Sequence, residues 1–503
     1  MPLRMTTRAS NPARIDSSGM AEHVQKAVRG AAWTIGSSLA ARVIGVVGTL
    51  LITRYLDPDI LGEVTAASIV VVSANLFSNF GLGNYAIAKH KDGPDVTFAC
   101  TVVYLTLGVL ALGAAWIWAG SFGETVNAPT MGQYVPGLVI STFIRRLGHM
   151  PDKVLARQMR FGPIGISMAV GELSYTVVSV ALAMNGWGGA AIVWANVVQS
   201  TIMTGIVMSQ VHWREWLGPH KIRMARLKDQ AKFGIPLGLV AAAHHASTTW
   251  DNLIYSRYFG VRQMGLYNLG YKLAAMPAEQ IGEQIGGVLF PSMSNVDGDA
   301  KRRALIRSIG LMALLVYPLS TGIFAVSESL VAALLTEEWQ GVAPVLSALS
   351  LVTVVQPIGW AAGSYLLAKG HNWALSAQEF IKLFALAGGL MLFAPYGPVW
   401  ACAGVGLGFT SQALMYFYML NRDGVSMKAL ASAVFRPILP CLPMIAAVYA
   451  TRYGLQSLGI ETPVVLLMGE IAAGAIVFVP CAFLFSGAIA RDFLGLAKSA
   501  LGR

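Results

Sequence analysis

The stretch "TRYLDPDILG", Thr53 to Gly62, is echoed by "SRYFGVRQMG", Ser256 to Gly265. Each copy places a hydroxyl residue, Arg and Tyr before an apolar residue, with a glycine eight residues after the Arg. The copies stand 203 residues apart, and Gly83 matches Gly286 at the same offset. A phrase repeated at one offset points to a duplicated architecture. Each Arg-Tyr pair follows an apolar stretch and is read as the outer end of an odd-numbered membrane span. Six spans then separate the copies, and an even number preserves orientation. The expectation is a parallel repeat of two six-helix bundles, related by an axis along the membrane normal.

Composition agrees. The chain has 503 residues, of which 55% are hydrophobic and 12% charged, whereas a soluble domain carries about 25% charged residues. A membrane helix needs about 20 mostly apolar residues. Fourteen spans are predicted, centred near Ile44, Val71, Leu107, Val139, Val177, Val198, Ala242, Met276, Leu315, Val354, Leu386, Leu407, Ala446 and Ile476. The fold class is therefore an all-α polytopic membrane protein. Residues 1–26 read as a polar, disordered cytoplasmic tail with no cleavable signal peptide. Residues 27–210 form the first lobe, 211–230 an amphipathic connector on the cytoplasmic headgroups, and 231–425 the second lobe. Residues 426–503 hold two further spans and a tail.

Lysine and arginine fix the orientation, because cytoplasmic loops are rich in them. Of the 36, only Arg54, Arg257, Arg262 and Arg452 fall in outer loops, and Arg42, Lys272 and Lys382 lie within spans. The rest, Arg145 and Arg146 among them, are assigned inside, which puts both termini in the cytoplasm. The net charge of +11 is thus a topology signal and an attraction to anionic lipid. With no compact basic domain, nucleic-acid binding is not expected. The four cysteines, Cys100, Cys402, Cys441 and Cys481, lie in apolar runs without metal or disulfide spacing.

The segments "GAAWTIGSSLAARVIGVVGTLLITRYLDPDILGEV", "NFGLGNYAIAKH" and "VLARQMRFGPIGI" resemble the Wzx-type oligosaccharide flippases. That family is the polysaccharide transporter branch of the MOP exporter superfamily. The resemblance runs over roughly residues 27–490 and is carried by diffuse phrases. It implies two six-helix lobes in a V with two extra C-terminal helices. It also implies a substrate, an undecaprenyl-pyrophosphate-linked oligosaccharide, moved to the periplasmic leaflet of the bacterial inner membrane by alternating access. Such a protein serves exopolysaccharide or lipopolysaccharide assembly. Its expected partners are membrane lipids and the polymerase and export machinery, and it is not an enzyme.

Charges inside the membrane cost free energy and usually face a cavity. Thr34, Ser38, Arg42, Gly45 and Thr49 share one helical stripe, as do Asn268, Lys272, Glu279 and Glu283. In the seventh span, His244, Thr248 and Asp251 share a face, and Arg42 maps onto His245 at the repeat offset. For a pyrophosphate, Arg offers a planar fork of donors and Lys a compact charge. Arg42 and Lys272 are therefore the expected substrate cations. The competing reading pairs Arg42 with Glu63 or Asp251, and Lys272 with Glu279 or Glu283, as structural ion pairs. Lys382 and Glu379, one turn apart, read as a helix ion pair. Asp251, Glu279, Glu283, His244, His245 and Glu172 are the expected polar cavity or ion-coupling residues. No cofactor or metal is expected beyond a coupling cation, H+ or Na+.

Other motifs carry less. Asp57-Pro-Asp59 and Asp297-Gly-Asp299 echo a nucleotide-sugar metal pair, but turn chemistry explains them. The run "GVGLG", Gly404 to Gly408, lies within a span with no preceding strand, so helix packing is expected. Adjacent His244 and His245 point about 100° apart on a helix and would not chelate together. A membrane polymerase or glycosyltransferase would carry a long outer catalytic loop, and the outer loops here are short. A cation-coupled drug exporter, which would want an anionic cavity, and a peptidoglycan-precursor flippase remain as alternatives.

Overall fold

The computed structural model describes residue 41 and residues 43–89, 94–218, 224–294 and 298–500. Every regular element among them is helical. Lipid offers no partner for backbone polar groups, so a spanning segment must satisfy them within itself, as a helix does. The first half comprises α1 (Val43–Ile52), α2 (Pro58–Phe77), α3 (Leu82–Ala88), α4 (Pro94–Ile117), α5 (Ala119–Thr125), α6 (Val135–Arg157), α7 (Phe161–Met184) and α8 (Gly189–Ser209). A short α9 (Arg214–Leu217) leads to the 71-residue α10 (Met224–Ser294). Then follow α11 (Gly298–Leu334), α12 (Val342–Thr353), α13 (Gln356–Ala368), α14 (Asn372–Phe393) and α15 (Pro398–Arg422). The chain ends with α16 (Met427–Phe435), α17 (Cys441–Ser457) and α18 (Pro463–Ala500).

Nine of the described helical stretches are long and apolar enough to cross a membrane. All the expected span centres fall in helices except Val354, which sits at the junction of α12 and α13. Those two form one stretch, Val342–Ala368. The seventh and eighth spans are the two arms of α10, 224–259 and 261–294. A single residue, Gly260 at φ 80°, ψ 171°, turns one arm into the other. Only glycine adopts that conformation without strain. Pro277, in the second arm, keeps helical φ and ψ.

Two sequence expectations shift in the first half. Arg145 and Arg146 are not loop residues: both lie within α6, and Arg146 is only 2% exposed. Its guanidinium has no carboxylate partner and is held by neutral oxygens. It donates to Asn75 Oδ1 (2.5 Å), Ser78 Oγ (2.8 Å) and the carbonyls of Asn75 and Tyr104, and it stacks over the Tyr104 ring. The carbonyl of Asn75 belongs to the last turn of α2. Arg146 thus caps the break between α2 and α3, where Phe80 and Gly81 adopt positive φ. The connector differs as well. Trp216 is buried among Leu82, Tyr85 and Val207, and its carbonyl accepts from Thr101. This part of the connector packs on protein; residues 219–223 lie outside the described ones.

In the second half, α14 and α15 meet through glycines. A Cβ on Gly404 would collide with the backbone of Gly389 and Leu390, and one on Gly408 with Leu386. The "GVGLG" run is therefore a close-packing face, the membrane use of small residues. Buried Tyr255 and Tyr267 stack at 4.4 Å between the arms of α10, beside buried Trp339 and Leu346.

The last helices are pinned by a charge network that is buried at Glu470, nearly so at Arg452, and exposed at Glu328. Arg452 of α17 donates to Glu470 of α18 (2.6 Å), to Glu328 of α11 (2.7 Å) and to the Ala325 carbonyl (2.8 Å). Ser329 adds a bond to Glu470 (2.8 Å), whose side chain is wholly buried. Removing one member of such a set strands the other, at about 3–5 kcal/mol. Arg452→Met should therefore lower the melting temperature in detergent clearly, while Arg452→Met combined with Glu470→Met restores most of it. Equal melting temperatures for the wild type and Arg452→Met would show that the network does not hold α17 and α18.

Candidate functional site

A cavity of about 250 Å³ opens where the two halves face one another. α2 contributes Leu61, Val64, Thr65, Ser68, Ile69 and Val72; α7 contributes Tyr175; α8 contributes Ile192 and Asn196. From α10 come His245 and Thr249 on the first arm and Lys272 on the second. Among the described residues the lining holds one fixed cation, several neutral hydrogen-bonding groups and no carboxylate. Lys272 is exposed into this space, and no carboxylate pairs with it among the described residues. The structural pairing of Lys272 with Glu279 is thereby not formed.

His245 is held in place from two sides. Its Nε2 lies 3.2 Å from Ser73 Oγ and its Nδ1 3.4 Å from Thr249 Oγ1. Trp250 Nε1 donates to the same Ser73 oxygen at 3.1 Å. His244 points elsewhere, its Nδ1 3.4 Å from Glu379 Oε2 in the second half. The two histidines diverge, as their adjacency on a helix requires.

Asp251, Glu279 and Glu172 are not among the described residues that line the cavity. Asp251 is 1% exposed and accepts from Tyr267 Oη (2.5 Å), Asn252 N (2.9 Å) and Asn252 Nδ2 (3.0 Å). The nearby cation is Lys382, itself 3% exposed, which feels Glu379, Asp251 and Glu279. Lys382 Nζ sits 3.9 Å from Glu379 Oε2 and over the Phe409 ring. So Asp251 and Glu279 gather around Lys382, while Lys272 faces the cavity apart from them. Glu172 belongs to the first half. It accepts from Gln199 Nε2 (2.8 Å), and Gln199 Oε1 in turn accepts from Arg145 (3.1 Å). Arg42 lies outside the described residues, as does the side chain of Glu283.

Sequence reading missed the neutral wall of the cavity, Thr65, Ser68 and Asn196. These are ordinary helix residues with no spacing signal; only their neighbours across the seam distinguish them. It also missed that Lys382 serves three carboxylates, because two of them stand on another helix.

Residues 51–344 match the family described as polysaccharide biosynthesis protein. The chain belongs to this family. Among curated relatives, the chain is 24% identical over 442 residues to the lipopolysaccharide biosynthesis protein WzxC of Escherichia coli (strain K12), covering 85% of this chain and 87% of that one. It is 21% identical over 488 residues to the succinoglycan biosynthesis transport protein ExoT of Rhizobium meliloti (strain 1021), covering 94% and 95%. Among solved structures, this polysaccharide biosynthesis family member matches the lipid II flippase MurJ in its inward closed conformation, with TM-score 0.75, 13% identity and coverage of 91% and 98%. It also matches an inward-facing multidrug resistance MATE family transporter of the MOP superfamily, with TM-score 0.61, 14% identity and coverage of 76% and 94%. At these identities the structural likeness establishes the fold.

The placement of the two lysines is testable. Lys272→Cys should react with a charged, water-soluble thiol reagent in detergent, and Lys382→Cys should not. The native Cys100, Cys402 and Cys441 are buried, and the half-buried Cys481 is replaced by serine in both variants to keep the background low. Mass spectrometry of the intact protein would read the difference, and equal labelling at both positions would contradict the site described.

Proposed function

We propose that this protein moves an undecaprenyl-pyrophosphate-linked oligosaccharide from the cytoplasmic to the periplasmic leaflet of the bacterial inner membrane by alternating access. The observation that carries the reading is Lys272, a cation that pairs with no carboxylate among the described residues and faces a cavity between the halves whose described lining holds no carboxylate. Unpaired charge in a membrane is expensive and marks a ligand path. A pyrophosphate supplies the missing anion, and Tyr175, Asn196, His245 and Thr249 supply neutral donors or acceptors for sugar hydroxyls. The names of the relatives, lipopolysaccharide biosynthesis protein and succinoglycan biosynthesis transport protein, agree with a polysaccharide precursor. On this reading the chain is a transporter and not an enzyme. It crosses the membrane fourteen times as two six-helix lobes and a C-terminal pair, with both termini cytoplasmic. Arg42 joins Lys272 as the second substrate cation, and a polymerase acts on the delivered product. A cation-coupled drug exporter fits less well, because the described lining of the cavity holds a lysine and none of the carboxylates that an organic cation would want.

A charge-assisted hydrogen bond contributes about 1.5–3 kcal/mol. Lys272→Ala should accordingly slow flipping of a fluorescent lipid-linked oligosaccharide in proteoliposomes by roughly 10- to 100-fold at limiting substrate. Lys272→Arg should retain part of the rate. Wild-type flipping by Lys272→Ala would remove the basis of the proposal.

Coupling to a cation, H+ or Na+, falls on the carboxylates Asp251, Glu279 and Glu283. A coupling ion must bind the two facing states with different affinity. If one of these groups is the site, its neutral variant, Asp251→Asn, Glu279→Gln or Glu283→Gln, should flatten the dependence of flipping on pH or sodium gradients. Unchanged dependence in all three variants would place coupling elsewhere.

A further inference from the structure

The two copies of the repeated phrase touch one another. Gly62 of α2 abuts the backbone of Val261, and Gly265 of the second arm of α10 abuts the backbone of Pro58. A Cβ at either glycine would collide with the carbonyl oxygen opposite. Pro58 and Val261 are equivalent positions of the repeat, and so are Gly62 and Gly265. The contact is therefore reciprocal: each helix start presses its glycine against the first residue of the other. Between them, Arg262 Nη1 donates to Asp59 Oδ2 at 2.9 Å, and this pair too is separated by the repeat interval of 203. Asp59 suits the first turn of α2, where the helix dipole favours an anion. Arg262 stands at the equivalent place, where the dipole disfavours a cation. Its local cost is offset by the partner across the seam.

Neighbouring contacts repeat the exchange. Val126 and Asn127 of the first half bind Ser256 and Arg257 of the second, at 2.7 and 2.8 Å. Trp339 of the second half donates to the Leu56 carbonyl of the first at 3.2 Å. The lysine and arginine distribution assigns this end of the molecule to the outer side.

We propose that Gly62, Gly265, Asp59 and Arg262 form the lock that closes the outer end of the transport path, and that they part when the cavity opens outward. The assignment rests on the transporter reading above. The division of labour follows from the chemistry. The ion pair is half-exposed, with side chains 49% and 51% accessible, and such a pair contributes little alone. That suits a contact broken in every cycle. Shape does the closing: only a residue without a side chain lets the two helix starts meet backbone to backbone. Arg262 also lies near Glu338, whose carboxyl is raised above its ordinary range by a hydrogen bond with Asp57. These groups frame the ion pair and bear on its reversal below.

The test uses a reporter in the cavity, Ser68→Cys, in whole cells given a membrane-impermeant thiol reagent from outside. In that background, Gly62→Ala and Gly265→Ala should each raise labelling severalfold and slow flipping. Alanine favours a helix over glycine, so weakened local structure would not explain the gain. Asp59→Arg should also raise labelling. Adding Arg262→Asp should lower it again in part, since Glu338 opposes the new aspartate. Unchanged labelling in both glycine variants, or no rescue by the charge exchange, overturns the lock. Labelling reads the gate and not the cargo. Altered labelling without any lipid-linked flipping would keep the lock and discard the substrate; unchanged labelling with normal flipping would do the reverse.

Discussion

The proposed site depends on one cation, Lys272, that pairs with no carboxylate among the described residues. Placing a lysine at the centre of a membrane helix costs about 2.5–3.5 kcal/mol on insertion scales. Other membrane-embedded cations among the described residues are compensated. Lys382 sits among three carboxylates, Arg452 binds two, and Arg146 is wrapped by carbonyl and hydroxyl oxygens. Lys272 instead faces open space between the halves. Water there lowers the cost but does not neutralise the charge. An anionic headgroup would do so, and the bound and unbound cavity then differ by a full desolvated interaction. On the proposed reading, the side chain that is costly without an anion is the one that selects for it.

The fold was legible because its determinants are local and repeated. Apolar stretches, the bias of lysine and arginine, and one duplicated phrase predict the helical, polytopic architecture. Those signals need no knowledge of which helix touches which. The duplicated phrase proved to be more than a marker of ancestry, since Gly62 and Gly265 are placed against one another's helix starts. A glycine kept at both places is explained by that contact, and not by any demand of the single helix.

The site was legible in part. A mid-span lysine is visible in any sequence, and Lys272 is where a cavity lies. Its stripe misled about its partners. Lys272, Glu279 and Glu283 share a helical face, yet Glu279, like Asp251, exerts its field on Lys382, which stands on α14. A helical stripe is more than 100° wide, so residues on it can serve different neighbours. Arg145 and Arg146 misled in the opposite sense. Loop-rich charge statistics placed them inside, but Arg146 is a buried cap for the broken end of α2. Charge counting has no means of distinguishing a solvated arginine from one enclosed by carbonyls.

The helix pair α2 and α10 brings these features into one geometry. At one end, Gly62 and Gly265 press on backbone across the seam; at the other, Gly234 presses on the Phe80 carbonyl. From Gly62 to Phe77, where α2 ends, the rise of a helix corresponds to roughly 22 Å, most of the hydrocarbon thickness of about 30 Å. The two contacts thus lie towards opposite ends of this helix pair, with Thr65, Ser68 and Val72 of the cavity between them. Backbone resting on backbone has no side chain to compress, so such a contact is either made or broken. Packed interfaces of this kind switch between discrete arrangements and do not deform continuously. Under the proposed lock, a path bounded by such contacts, with Lys272 facing the cavity between them, has the discrete barriers that alternating access requires.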